Sequence, residues 1–180
     1  LREQCQSYCR TMWQFKLNLT ARMSVSCWQA VANLCGVSDD PTKLTGEAMT
    51  EENLLDLVHR DKAMIAYARI LGLKLQLLFM FEEWDSASKI LVSVIKVLQY
   101  LEAQFLVMYV DFFIGLTCAE LYRQKKKGVF LKYGRKSLQK MTKWVEQEVP
   151  GCREYQLLMS AELLSITSKD WSEVSSAYDE

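Results

Sequence analysis

Apolar residues recur every three to four positions along most of this chain, which is the spacing of an amphipathic α-helix. The pattern predicts one helix over residues 4–19 and another over residues 20–35, together forming an N-terminal helical hairpin in residues 1–36. The apolar positions of the first of these helices are Tyr8, Met12, Phe15 and Leu19. Gly36 follows the second helix and supplies the stop signal expected at a helix end.

Residues 37–50 interrupt the helical pattern and are rich in residues that favour turns. The turn-forming positions are Asp39, Asp40, Pro41 and Gly46. We therefore predict an ordered loop in this segment. Thr50 is placed to cap the next helix, and Glu51 and Glu52 fall in its first turn, where negative charge suits the helix dipole.

Helical periodicity resumes over residues 51–180, and no strand-like alternation interrupts it. Breaks are expected near His59–Asp61 and at Glu82–Glu83. The central pair of long segments, within Ala103–Gln147, is separated by a short basic turn in which Gly128 is the C-cap candidate. The predicted fold class is all-α.

Residues 51–180 also contain a loose internal repeat. An aromatic residue at each of three turns is followed, three or four positions on, by a small or short-branched residue. The pairs are Trp84 with Ala87, Phe130 with Gly134, and Trp171 with Val174. Repetition of this kind is typical of stacked helical hairpins. It predicts a tetratricopeptide-like α-solenoid whose last hairpin is truncated; the alternative is an irregular, purely structural helical bundle.

The charge balance argues against some partners. The chain has 22 Lys and Arg residues and 22 Asp and Glu residues, so no global field favours nucleic acid or anionic lipid. Charged residues interrupt the most apolar segments, which indicates core helices and no membrane span. Six irregularly spaced cysteines and the lack of a visible signal peptide favour buried free thiols in a cytoplasmic protein.

No catalytic, cofactor-binding or metal-binding residues are predicted. His59-Arg60-Asp61 resembles a kinase catalytic loop, but Ala66 stands where the metal-binding asparagine would be. A glycine-rich phosphate loop is absent from the sequence. An all-α enzyme with an apolar cavity, similar to prenyl-transfer folds, remains an alternative, and Asp111 and Glu120 would be its only carboxylates in the most apolar region.

Two stretches, residues 27–53 and 133–180, resemble the long helical region of large multidomain signalling proteins. The residues that carry the resemblance are Trp28, Gln29, Asn33, Leu34, Gly36, Asp40, Pro41, Leu44, Thr45, Gly46, Gly134, Met141, Trp144, Tyr155, Leu157, Leu158, Ala161, Glu162, Trp171, Ala177 and Tyr178. In that family a predicted AAA-type ATPase module, often behind a protein-kinase-like domain, precedes tetratricopeptide-like helices. A sensor domain and a histidine-kinase or cyclase output commonly follow.

The resemblance implies a non-catalytic segment for protein interaction or interdomain coupling in a signal-transduction ATPase or kinase. The expected partner is a protein, either a peptide or a neighbouring domain of the same chain. The expected surface comprises the loop residues Asp39, Asp40, Pro41 and Gly46, and a basic helix face with Tyr133, Arg135 and Lys136.

Overall fold

The computed structural model describes residues 2–101 and 105–179. The ends of the predicted segments at positions 1 and 180, and Ala103 and Gln104 at the start of the central pair, lie outside the described residues. The helices are α1 (Arg2–Gln14), α2 (Asn18–Leu34), α3 (Glu51–Arg60), α4 (Met64–Met80), α5 (Trp84–Val97), a 3₁₀ helix (Leu98–Leu101), α6 (Leu106–Lys125), α7 (Gly128–Glu146), α8 (Arg153–Ser165) and α9 (Trp171–Asp179). These two ranges contain no strand, so the all-α prediction is confirmed for them.

The described helices form two compact units, one in residues 2–101 and one in residues 105–179. In the first unit, α4 packs against α2, α3, α5 and the 3₁₀ helix. Its side chains are apolar almost all round, and Ile70, Leu75 and Leu77 are fully buried, as a helix enclosed by neighbours requires. In the second unit, α6 packs against α7 and α8, and α8 also packs against α7 and α9.

The N-terminal helices differ from the sequence prediction in their boundary and in their buried face. Helix α1 ends at Gln14, and Lys16 adopts a left-handed conformation (φ 58°) before α2 begins. Tyr8, Phe15 and Leu19 are exposed, whereas Cys9 is 1% exposed. The prediction of an inward face carrying these three residues is therefore wrong, because α2 and the core cover the face of α1 that carries the smaller thiol side chain.

Three of the predicted helix ends are confirmed, and one is wrong. The expected ends at Gly36 (φ +72°), near His59–Asp61 and at Glu82–Glu83 are confirmed. The prediction of Gly128 as a C-cap is wrong: Lys126 takes the left-handed conformation (φ 51°), and Gly128 is the first residue of α7. The Lys126 N–H donates to the Tyr122 carbonyl, and a cation at this end complements the helix dipole.

The small residues of the internal repeat are all buried. Ala87, Gly134 and Val174 lie in α5, α7 and α9, respectively. Gly134 has the closest neighbours, since a Cβ at this position would stand 3.0 Å from Leu163 Cδ2 and 3.3 Å from Cys118 Cβ. The absence of a side chain at Gly134 therefore lets α7 pack closely on both α6 and α8.

The Gly134→Val variant is expected to lose about 2 kcal/mol of unfolding free energy, because overpacked side chains force neighbouring helices apart. Urea denaturation measures the loss. The matched control is Gly128→Ala, where a Cβ would meet nothing within 4 Å. Equal stability of Gly134→Val and the parent chain would refute the packing role of Gly134.

Candidate interaction surface

Helix α2 carries two polar residues on a face where apolar residues would be expected. Gln29 and Asn33 are one turn apart and each is 1% exposed. The Gln29 Nε2 amide donates to Asn33 Oδ1 at 2.8 Å. Because unpaired buried amides are costly, their remaining donors and acceptors must be satisfied by neighbouring groups. Those groups belong to the backbone of residues 37–50.

The loop is fixed to α2 by three hydrogen bonds from these amides. Asn33 Nδ2 donates to the carbonyls of Pro41 (3.0 Å) and Lys43 (2.6 Å), and the Ala48 N–H donates to Gln29 Oε1 (2.9 Å). These hydrogen bonds are the physical cause of the order in residues 37–50. Two side chains of one helix replace the hydrogen bonds that a loop of this length cannot make within itself.

The first turn of α3 holds the other end of the loop. The Glu51 carboxylate accepts the Leu44 N–H at 2.9 Å and pairs with Lys74 of α4. The Glu51 N–H donates to Thr45 Oγ1 at 3.1 Å. Thr50 occupies the predicted N-cap position of α3, but its side chain makes no capping hydrogen bond. The capping acceptor comes from Thr45, because the folded loop places that hydroxyl over the start of α3.

A third attachment joins the loop to α1. The Glu47 carboxylate accepts the Trp28 indole N–H at 3.0 Å and both Nε and Nη2 of Arg2. The hydrogen bond from Arg2 holds the pKa of Glu47 below its usual range. Residues 37–50 are therefore bonded to α1, α2 and α3, and they form a fixed wall on this part of the unit.

The predicted loop residues divide into structural and exposed positions. The Asp40 carboxylate accepts the backbone N–H and the hydroxyl of Thr42, and the hydroxyl bond is the main cause of its lowered pKa. The Pro41 carbonyl is bound by Asn33, as described above. A Cβ on Gly46 would stand 2.6 Å from Gln29 Nε2. Asp39 alone among the four has an exposed side chain without a hydrogen bond to the described residues.

An apolar groove of about 230 Å³ opens beside this wall. It is lined by Trp13, Arg22, Val25, Ala48, Met49, Thr50, Asn53, Leu54 and Leu57. The floor is buried, whereas Trp13 is 45% exposed at the rim. The loop contributes Ala48, Met49 and Thr50, so the hydrogen bonds that fix the loop also fix one side of the groove.

Arg22 is one of the polar residues that line the groove. Its Nη1 pairs with Asp61, and its Nε–H is buried and has no hydrogen-bond partner among the described residues. A buried donor without an acceptor costs free energy. The groove thus combines apolar walls with the N–H groups of Arg22, Trp13 and Asn53.

The predicted basic residues lie on α7 in the second unit. Arg135 and Lys136 are exposed, Tyr133 is half-buried, and neither cation makes an ion pair with a described residue. Lys136 lies near enough to Asp111 to lower the pKa of that carboxyl. Because the loop residues belong to the first unit and the basic residues to the second, the seven predicted positions are divided between the two units.

Asp111 is the most buried carboxylate of the second unit, with its residue 1% exposed. It accepts the Ser137 hydroxyl at 2.8 Å and pairs with the Lys140 ammonium at 3.0 Å. Burial raises the pKa of Asp111 despite the opposing effects of Lys140, Ser137 and Lys136. This carboxylate therefore links α6 to α7. Glu120, nine positions on, accepts hydrogen bonds from Arg123 and Gln124.

The residues that line the groove were not singled out from the sequence as functional. Trp13, Arg22 and Met49 are far apart in the chain, and nothing in their local patterns marks them. One signal for the loop attachment was present: two amides four residues apart within the otherwise apolar segment Trp28–Leu34. Polar side chains at helical spacing in a buried stripe indicate that a non-helical backbone is packed against them.

Three further observations concern metal binding, membrane crossing and similarity to known proteins. In residues 2–101 and 105–179, the His, Cys, Asp and Glu side chains form no group that could hold a metal ion. None of the helices in those ranges is long and apolar enough to cross a membrane. Comparison with protein-family models, curated proteins and solved structures finds no match to this chain.

Proposed function

We propose that this chain is a non-catalytic helical-repeat segment that binds a peptide in the groove between Trp13, Arg22 and the 37–50 loop. The observation that carries the proposal is the pairing of apolar walls with the Arg22 guanidinium and the half-exposed Trp13 indole. An apolar side chain of the peptide would fill the groove. A backbone carbonyl beside that side chain would accept a hydrogen bond from the Arg22 guanidinium.

Because the loop is already fixed, the groove beside it is suited to binding a ligand. A groove whose wall is already hydrogen-bonded loses little conformational freedom when a ligand enters, so more of the contact energy is retained. The rim residue Trp13 offers a large, half-exposed aromatic surface, and Trp is enriched among the residues that dominate binding energies. Both features suit recognition of an extended or helical segment of another protein.

Helix packing within each unit supports the tetratricopeptide-like part of the proposal. Helix α2 contacts α4 across the intervening α3, and α6 contacts α8 across α7, in addition to contacts between successive helices. Equivalent helices of adjacent hairpins pack in this alternating way when hairpins stack into a solenoid.

The resemblance is the basis for placing this segment in a signalling ATPase or kinase. It is also the basis for proposing that the peptide comes from a neighbouring domain of the same chain. A cytoplasmic location belongs to the same proposal. The enzyme alternative gains no support from Asp111 and Glu120, since both carboxylates are engaged in ion pairs. The structural-bundle alternative predicts that the groove binds nothing.

Selection of phage-displayed random peptides against the whole chain tests the proposal. Enriched peptides are expected to share one apolar position, and Met49→Asp is expected to weaken their binding at least about tenfold, as loss of a buried anchor contact does. Arg22→Lys, which keeps the charge but removes the Nε–H, should also weaken binding. Fluorescence anisotropy of labelled peptides measures both effects.

Met80→Asp is the matched control, because Met80 is 48% exposed in the same unit and does not line the groove. Binding that survives Met49→Asp and Arg22→Lys unchanged would refute the groove as the site. If selection enriches no saturable ligand, the structural-bundle alternative is favoured.

A further inference from the structure

Three cysteines and one arginine meet where α1, α2 and α4 pack together. Cys9 belongs to the buried core of the first unit, and Cys5 and Cys27 are partly exposed and pack against that core. Burial raises the pKa of Cys9, and Cys5 and Cys27 are both close enough to add to the effect. These thiols therefore form one cluster between α1 and α2.

Arg69 of α4 directs its guanidinium at the Cys27 sulfur. The Nη2 and Nε groups donate to Cys27 Sγ at 3.1 Å and 3.3 Å. These two contacts are the only hydrogen bonds of Arg69 to side chains or loop backbone in the described residues, and Arg69 pairs with no carboxylate there. A half-buried guanidinium whose N–H groups point at a single sulfur is an unusual use of an arginine.

The chemistry of this arrangement differs from that of an ordinary buried thiol. Reactive cysteines lie in electropositive, partly exposed surroundings, and the Arg69 guanidinium supplies the positive charge beside Cys27. Partial exposure lets a small reagent reach Cys27. A sulfenic acid formed beside another thiol condenses with it to a disulfide.

We propose that Cys27 is a modification site at which a hydroperoxide oxidises the thiol to a sulfenic acid that Cys9 then resolves to an intramolecular disulfide. In the first step, the Cys27 sulfur attacks the terminal peroxide oxygen; an S–O bond forms, the O–O bond breaks, and the peroxide leaves as an alcohol or as water. The sulfur loses two electrons, and the leaving oxygen gains them with a proton.

In the second step, the Cys9 sulfur attacks the oxidised Cys27 sulfur. An S–S bond forms, the S–O bond breaks, and the hydroxyl leaves as water with the proton of the Cys9 thiol. The disulfide joins α1 to α2. Since α1 carries Trp13, oxidation restrains one rim of the groove, although the chemistry at Cys27 does not depend on the groove binding a peptide.

Treatment of the whole chain with hydrogen peroxide, followed by dimedone labelling and mass spectrometry without reduction, tests the proposal. Cys27 is expected to oxidise before Cys35, which is more exposed but accepts no hydrogen bond from a guanidinium. Arg69→Gln is expected to slow oxidation of Cys27 at least about tenfold, because the attacking sulfur loses the positive charge that contacts it. Arg69→Lys keeps the charge and should restore part of the rate.

The Cys9→Ser variant assigns the second step: it should accumulate the dimedone adduct at Cys27, whereas Cys5→Ser should still form the disulfide. Iodoacetamide labelling of buried Cys9 and Cys118 reports whether a variant has lost its fold. If Arg69→Gln is unfolded, the rate of Cys27 oxidation in Arg69→Lys is the test of the role of Arg69. Faster oxidation of Cys35 than Cys27, or no effect of Arg69 in a folded variant, would overturn the proposal. A disulfide that forms normally in Cys9→Ser would overturn the assignment of the resolving thiol.

Discussion

Replacing Asn33 with alanine is expected to lower the free energy of unfolding by about 3 kcal/mol, because one buried and two partly buried hydrogen-bonding groups lose their partner at once. The carbonyls of Pro41 and Lys43 lose their donor, and Gln29 Nε2 loses its acceptor. Helix α2 itself should persist, since alanine is a better helix former than asparagine. The damage is therefore expected in the loop.

Hydrogen exchange followed by mass spectrometry places the effect along the chain. Amides in residues 37–50 should exchange faster in Asn33→Ala, while those of α2 change little. Asn33→Asp is nearly isosteric but cannot donate to the two carbonyls, so it should be no more stable than Asn33→Ala. The control is Asn53→Ala, because Asn53 is exposed on α3 and makes no hydrogen bond with the described side chains.

The same variant connects the loop to the proposed function. Loosening residues 37–50 frees the Ala48 and Met49 side of the groove, so selected peptides should bind Asn33→Ala more weakly, although Asn33 does not line the groove. If Asn33→Ala loses less than ~0.5 kcal/mol, the range of ordinary surface substitutions, and its loop amides exchange at the normal rate, the attachment described here is not what orders the loop.

The Lys140→Met variant is expected to lose about 2 kcal/mol at neutral pH, because the buried Asp111 carboxylate loses its charged partner. Solvent screening of the half-exposed Lys140 ammonium keeps the loss below that of a fully buried ion pair. Asp111 is the charge left behind, with Ser137 as its remaining hydrogen-bond donor. Methionine retains the apolar stem of the lysine, so packing between α6 and α7 changes little. Denaturation by urea, together with hydrogen exchange in α6 and α7, measures the loss.

The effect of Lys140→Met has a definite sign with pH. Burial raises the pKa of Asp111, so the fold disfavours ionisation of this group. The corresponding stability is present below the ordinary carboxyl pKa and is lost as pH rises through the raised value. Without Lys140, which lowers that pKa, the penalty should be largest at neutral pH and should shrink in acid, where Asp111 is protonated.

Two further variants separate the ion pair from other causes. Asp111→Asn combined with Lys140→Met should recover most of the loss, because no buried charge remains to be compensated. Lys143→Met is the matched control, since Lys143 is exposed on the same helix and pairs with no described carboxylate. A Lys140→Met penalty that is independent of pH, or equal to that of Lys143→Met, would rule out the proposed electrostatic cause.

Much of the helical architecture could be predicted from the sequence, because it depends on local physics. The 3.6-residue apolar period determines α-helices over most of the described chain, and Gly36 and the acidic turn at Glu82–Glu83 mark two ends correctly. The recurrence of Ala87, Gly134 and Val174 was visible in the sequence for the same reason, and all three residues are buried. Short-range signals of this kind act before any tertiary contact forms.

Errors arose where local signals were ambiguous and packing decided the outcome. Several faces of α1 contain apolar residues, and only the position of α2 determines that Cys9 is buried while Tyr8 and Phe15 are exposed. Either a lysine or a glycine could end α6, and the structure uses Lys126 in a left-handed conformation. Neither choice is determined within a single helical segment.

The candidate site depended almost entirely on tertiary structure. The groove unites Trp13 of α1, Arg22 of α2 and Met49 of the loop, and the thiol cluster unites Cys9, Cys27 and Arg69 from three helices. The sequence by itself determined that the described chain is helical and where most of its helices lie. Only the tertiary structure decided which side chains meet, because contacts between residues distant in sequence depend on how helices pack, and periodicity within one helix carries no information about its neighbour.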